Sequence, residues 1–395
     1  MPPSSPSPQP SERADGPRTR RVAARVRVSA RTESAARAEV AARAVVDTFG
    51  GPLVCLPGTH LARCARPSFG PLDVRWQYWW QAHYVDAVVD VGRRRLAGGD
   101  IDGARAWTHR GRRLLRTIWL RNGARITNSY YDDMAWLILA AARLQQLAVD
   151  AGIAPGRLAG RAVERLSAQL SVAHTRDLGG GLFWTTRHDR KNVAASGPAA
   201  IHFARSGRGD RAGAILEWID QVMRDPESGL MLDTLYMDGR RDDTVYTYNQ
   251  GVVIGALLAH GTDASLARAA ELVHLVDGRL RARPDTPVLR GHGGGDGGLF
   301  TGILVRYLAL AAQDVRLEQS ARDVAAGLVH GTAQALWDGR GPRGPHDPTP
   351  VFSPEPSIRV QPAPIGQQPV ELSSQLQAWT ILEAAAALPA TDPTP

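Results

Sequence analysis

A chain of 395 residues with 43% hydrophobic side chains can bury a large core, in one big domain or two. Its formal charge of +8 invites an acidic partner, yet of 47 lysines and arginines only Lys191 is lysine, and the arginines are scattered except for Arg18, Arg20, Arg21, Arg25, Arg27 and Arg31. No apolar run is long enough to span a membrane, and no zinc-finger or RNA-binding signature speaks for nucleic acid as a partner.

Residues 1–32, Pro/Ser-rich and then Arg-rich, read as a disordered arm. The arm lacks the apolar core of a standard secretory signal, so a cytoplasmic or non-classically exported protein is expected. Residues 33–389 read as a single all-α domain. Apolar spacing of 3.6 residues, or apolar character all round, predicts helices at 34–49, 76–95, 104–121, 131–149, 157–173 and 192–204. Further helices are predicted at 212–223, 248–259, 266–281, 298–312, 317–337 and 372–388. Residues 134–142, 251–259 and 303–312 are apolar nearly all round, which marks buried helices. Residues 157–173 and 264–283 are amphipathic, with arginines on one face. Such alternation fits a closed ring of six inner and six outer helices. An open solenoid is the alternative, although no repeat of solenoid period is visible. Cys55 and Cys64 lie in a loop-like stretch, close enough in sequence to pair. Glycine gathers at 179–181 and 291–298, and proline at 338–368. In a helical ring, such loops at the mouth would carry the site.

Asp132 and Asp133 open the buried helix at 131–149, flanked by Tyr130, Tyr131 and Trp136. Read alone, aspartates in a first turn are caps and partners of the positive helix end. Two carboxylates beside aromatic rings also suit glycoside hydrolysis. Adjacent first-turn residues bring their Cβ atoms to about 5–6 Å, which meets the separation of roughly 5–5.5 Å used for retention rather than the wider inverting gap. Like charges that close split their proton affinities, so one group can be the acid and the other the nucleophile. Asp242 and Asp243 stand in a polar run and read as a solvated loop. Tyr248, Asn249 and Gln250 open another apolar helix, where they suit either a hydroxyl-rich ligand or a cap with a core tyrosine. Of Trp79 and Trp80, at most one or two ring faces can meet a cleft, and His83 reads first as a core histidine. Trp184, in a loop after three glycines, suits a sugar platform. No metal-ligand spacing is present, so neither metal nor cofactor is expected.

The segments Trp79-Trp80-Gln81-Ala82-His83, Tyr130-Tyr131-Asp132-Asp133-Met134-Ala135-Trp136 and Tyr246-Thr247-Tyr248-Asn249-Gln250-Gly251 resemble glycoside hydrolase family 76. Lys191-Asn192 with Gly197-Pro198-Ala199-Ala200, and Asp296-Gly297-Gly298-Leu299-Phe300 with Gly302, Ile303 and Arg306, extend the resemblance over roughly residues 75–385. The resemblance implies an (α/α)6 barrel and a retaining, endo-acting α-1,6-mannanase, with Asp132 the nucleophile and Asp133 the general acid/base. It places Trp80, His83, Tyr130, Tyr131, Trp184, Asn192, Tyr248, Asn249, Gln250 and Asp296 around an α-mannan or mannose-containing glycan, in an expected monomer. Ser196 and Thr301 depart from the asparagine and lysine expected there. A mannosyl transglycosylase using the same pair, or a non-catalytic carbohydrate-binding barrel in which the aspartates only cap, are the other readings.

Overall fold

The computed structural model describes residues 17–68, 75–361 and 369–389, and of residues 17–31 and Cys55 the backbone alone. Residues 1–16 of the expected arm, and the Cys55 side chain that any pairing with Cys64 would need, lie outside the described residues. Among the described residues there are twelve α-helices: α1 (Pro17–Phe49), α2 (Tyr78–Ala97), α3 (Ile101–Arg121), α4 (Tyr131–Asp150), α5 (Arg157–Ala173) and α6 (Val193–Arg205), then α7 (Gly209–Trp218), α8 (Thr247–His260), α9 (Asp263–Arg279), α10 (Gly297–Gln313), α11 (Gln319–Asp338) and α12 (Leu372–Ala387). None of them is long and apolar enough to cross a membrane. Two expectations change. The first helix begins at Pro17, well inside the stretch read as an arm, because its alanines and arginines are strong helix formers. The run at 212–223 ends as an α-helix at Trp218 and continues as a π-helical turn, Ile219–Met223.

Helices α2, α4, α6, α8, α10 and α12 pack each on the next, and α12 returns to α2, closing a helical barrel. Helices α3, α5, α7, α9 and α11 lie outside α2, α4, α6, α8 and α10, and α1 lies outside α12. Sequence explains the two layers. In α8 every residue from Thr247 to Leu258 is buried, whereas α5 buries only Ala159, Ala162, Leu166, Leu170 and Ala173, a single stripe at helical spacing. Glycine lets inner helices touch: a Cβ on Gly251 would lie 2.6 Å from Leu304 Cα, and one on Gly302 3.0 Å from Gln377 Cα. One hydrophobic cluster runs from Ala38 to Leu388.

Below the ring's centre, Asp86 and Asp90 of α2 meet Arg143 of α4 and Arg306 of α10. Arg94 of α2 meets Glu383 of α12 at 2.8 Å and Glu39 of α1 at 3.0 Å. Asp86 is held well below its ordinary acidity range: burial opposes ionisation, but Arg143 and Arg306 overcome it. At the other end a small antiparallel sheet, Arg190–Asn192, Thr234–Tyr236 and Arg241–Asp242, forms part of the rim.

Candidate active site

The N-terminal turns of the inner helices open on a cavity of about 230 Å³. Its wall takes Trp79 from α2, Asp132 and Trp136 from α4, Ala194 from α6, Tyr248 from α8, and Phe300 and Ile303 from α10. The rim adds Trp184, Arg190, Asn192, Asp233, Thr234, Tyr236, Asp242 and Asp296. Helix N-termini carry partial positive charge, so converging starts favour the carboxylates gathered there.

Neither aspartate is the N-cap of α4. That position belongs to Tyr130, which has an extended backbone and makes no side-chain cap. Asp132 Oδ2 accepts the Trp184 indole N–H at 2.8 Å, and its Oδ1 accepts the Asp133 backbone N–H at 2.9 Å. Asp133 does not line the cavity wall; it accepts from Asn128 Nδ2 at 2.5 Å. Burial pushes the Asp132 carboxyl up to about 7, against the Trp184 hydrogen bond and with a smaller contribution from the Asp233 charge. Asp133 is raised well above the ordinary carboxylate range by burial first, then by the charges of Asp132 and Asp296, against its bond from Asn128. Burial and mutual repulsion thus raise both carboxyls and favour one shared proton on the pair.

Of the residues expected around a glycan, Trp184, Asn192, Tyr248 and Asp296 line the cavity. Asn192 also caps α6, its Oδ1 accepting from Ala195 N at 3.0 Å. Tyr130 is 41% exposed and packs edge-on to Trp184 on the rim. Tyr131, Trp80, His83, Asn249 and Gln250 are placed elsewhere. Tyr131 is buried, with its hydroxyl 3.5 Å from His188 Nε2. Trp80 is buried and donates to Asp296 Oδ1 at 3.0 Å, so the α2 tryptophan in the wall is Trp79, one residue earlier and about 100° round the helix. His83 packs behind the wall against Trp136 and Trp79, and burial lowers it to about 4, so it is neutral at pH 7. Gln250 clamps a loop, accepting from Met231 N at 2.8 Å and donating to Met231 O at 2.9 Å.

Asn249 leads to a carboxylate absent from the sequence reading. Asp233 Oδ1 accepts from Asn249 Nδ2 at 2.9 Å and from the Tyr248 hydroxyl at 2.6 Å, and Thr234 donates to Oδ2 at 2.8 Å. A lone charged residue between Leu232 and Leu235 was the available signal. Asp242, read as part of a solvated loop, lines the cavity because its strand pairs with Thr234–Tyr236, while Asp243 stays exposed. Ser196 and Thr301 are fully buried and off the cavity, accepting from Leu182 N and donating to Arg290 O respectively. These two departures from the expected pattern therefore serve packing. In the glycine-rich loop before α10, Glu355 accepts from Gly291 N and Gly293 N, and Glu371 accepts from Gly295 N, which fixes the approach of Asp296.

The α-1,6-mannanase of Salegentibacter sp. HEL1_6 superposes with a TM-score of 0.74 at 27% identity, over 89% of this chain and 99% of that one. An inactive variant of the same enzyme, with two consecutive aspartates replaced by asparagine and α-1,6-mannotriose bound, gives 0.72 at 27% identity over the same shares. A Listeria innocua protein shares the fold at TM-score 0.72 and 22% identity, over 89% of this chain and 97% of that one. Comparison with curated proteins finds no match. The family model for glycosyl hydrolase family 76 matches residues 36–342, most of the barrel just described. The chain belongs to glycosyl hydrolase family 76, and the carboxylate-lined cavity sits in a glycoside hydrolase.

Proposed function

We propose that the protein is a retaining, endo-acting α-1,6-mannanase. The observation that carries this reading is the consecutive carboxylate pair Asp132-Asp133, both raised in proton affinity by burial, beside a cavity lined by Trp79, Trp136 and Trp184. The Salegentibacter variant supports it by analogy, since replacing two consecutive aspartates goes with inactivity there while α-1,6-mannotriose still binds.

In the first step an Asp132 oxygen attacks the anomeric carbon, the bond to the leaving O6 breaks, and Asp133 delivers its proton to that oxygen. In the second, Asp133 takes a proton from water, the resulting hydroxyl attacks the anomeric carbon, and Asp132 leaves. Two inversions give net retention. The Trp184 indole N–H keeps Asp132 the easier of the pair to ionise. Asp233, held by Tyr248, Asn249 and Thr234, and Asp296, held by Trp80, offer fixed acceptors for sugar hydroxyls.

The test is linear α-1,6-mannan incubated with pure protein, with chain length and first-released anomer both followed. Shorter α-mannooligosaccharides released first as the α-anomer are expected. Unshortened mannan would sink the hydrolase reading, a β-anomer would sink retention, and products longer than the starting chains would mean transfer instead of hydrolysis.

A further inference from the structure

Lys191 is fully buried, the largest charged side chain so enclosed in the described residues. Its Nζ lies within hydrogen-bond reach of five oxygens of one loop: Thr175 O at 3.0 Å, Thr175 Oγ1 at 2.9 Å, Asp177 O at 2.7 Å, Gly180 O at 2.7 Å and Gly181 O at 3.2 Å. The carbonyls turn inward because Leu178, Gly179, Gly180 and Gly181 all have positive φ, from 53° to 145°. From outside, Trp218 seals the loop: a Cβ on Gly181 would lie 2.4 Å from its ring, and its indole donates to Leu178 O at 2.9 Å. The cage suits a compact ammonium with rotatable donors and not a planar guanidinium. Composition says the same, for arginine fills every other Lys/Arg position in this chain.

From the cage the chain runs directly to the reacting group. Lys191 bridges Phe183, and Trp184 N donates to Arg190 O at 2.9 Å. Trp184 O accepts from Tyr131 N, in the first turn of α4, at 2.8 Å. The Arg190 guanidinium covers the indole at 4.0 Å from the ring centre. The indole N–H then donates to Asp132 Oδ2.

We propose that Lys191 is a positioning residue that braces the loop at residues 175–181 and so holds the Trp184 indole against Asp132. For its activity readout the proposal rests on the mechanism above. Lys191 has Asp177 and His174 as charged or titratable neighbours; Asp132 has Asp133 on its own helix, Tyr248 of α8, Asp233 across the cavity, and the Arg190 guanidinium over its indole partner. Removing the indole bond leaves Asp132 facing those two carboxylates without its strongest donor, so its ionisation moves to higher pH.

Four variants of the full chain test this: Lys191→Met, Lys191→Arg, the milder Thr175→Val, which removes one cage oxygen, and Trp184→Phe as the reference. In Trp184→Phe the acid limb of kcat/KM is expected to move up by roughly half a pH unit or more, and Lys191→Met is expected to follow in the same direction with kcat down about tenfold. Lys191→Arg is expected to behave like Lys191→Met. A readout independent of turnover is the Trp184 indole 15N–1H resonance, assigned by its loss in Trp184→Phe. In the wild type it should follow the titration of Asp132, and in Lys191→Met it should shift and cease to follow. If Lys191→Met does not fold, Thr175→Val carries the same comparison. A folded Lys191→Met or Thr175→Val with an unmoved acid limb and an unmoved indole resonance overturns the proposal. A resonance that behaves as expected in a protein that leaves α-1,6-mannan intact refutes the mannanase reading and supports the role of Lys191.

Discussion

At the scale of single residues, the aspartate pair works against the stability of the fold that holds it. An unfolded aspartate titrates near about 4, and burial pushes Asp132 up to about 7. The folded state therefore favours the protonated form. That contribution is fully present below the unfolded value and is lost as pH rises through about 7. Asparagine resembles the protonated acid in shape and charge. Asp132→Asn is thus expected to stabilise the protein at pH 8 by about 1–3 kcal/mol while lowering hydrolysis by roughly a thousandfold or more. Thermal unfolding at pH 5 and pH 8 checks the first half: a clearly larger gain at pH 8 than at pH 5 is expected, and an equal change at both would refute the electrostatic cause. The same carboxyl sets the rate profile. The pair titrates as a unit, and the mechanism proposed above needs it singly ionised, so kcat/KM is expected to rise through an acid limb near pH 7 and peak on the alkaline side. An optimum near pH 5 would contradict the burial of the pair.

At the scale of elements, inner helices fasten the loops with buried glutamines. Gln81 of α2 clamps Ala62, Gln250 of α8 clamps Met231, and Gln375 of α12 clamps Phe352, each accepting from the backbone N–H and donating to the C=O of one residue. A buried carboxamide matches an isolated peptide unit group for group, so an irregular segment can lie on the barrel without unpaired backbone. Gln250→Met keeps the volume and strands both groups of Met231, at an expected cost of about 1–3 kcal/mol. Because Met231 leads directly to Asp233, Thr234 and Tyr236, KM for mannan should rise together with the fall in Tm. A fall in Tm with unchanged KM would show that the clamp serves the fold alone.

At the scale of the whole molecule, the ring is tied at its base by charges and opened at its top by helix starts. Arg306 Nη2 reaches Asp90 at 2.6 Å and Arg306 Nε reaches Asp86 at 3.2 Å, joining α10 to α2 across the barrel. Removing one member of a buried ionic group leaves its partners uncompensated. Arg306→Met is expected to destabilise by about 3–5 kcal/mol, measured by denaturant unfolding, with the loss shrinking in acid as Asp86 becomes protonated. A cost that stays constant down to low pH would mean lost packing and not unpaired charge.

Much of this was legible in the sequence. Helix α5 begins and ends where its periodicity predicts, and the all-apolar runs in α4, α8 and α10 fall in the inner layer, because an apolar surface all round leaves a helix nowhere else to go. The Asp132-Asp133 pair stood out because charge at the head of such a helix is costly unless used. What the sequence left open depended on direction and on partners distant in the chain. Rotation about α2 decided that Trp79 and not Trp80 faces the cavity. Pairing of the strands Thr234–Tyr236 and Arg241–Asp242 carried Asp233 and Asp242 to the rim from segments that look like loop. Gln250 and Asn249 carry the same amide, yet one grips Met231 and the other Asp233. Local composition determines which residues must be buried. Only the packed barrel decides which buried polar group finds a backbone, which finds another side chain, and which is left facing the cavity.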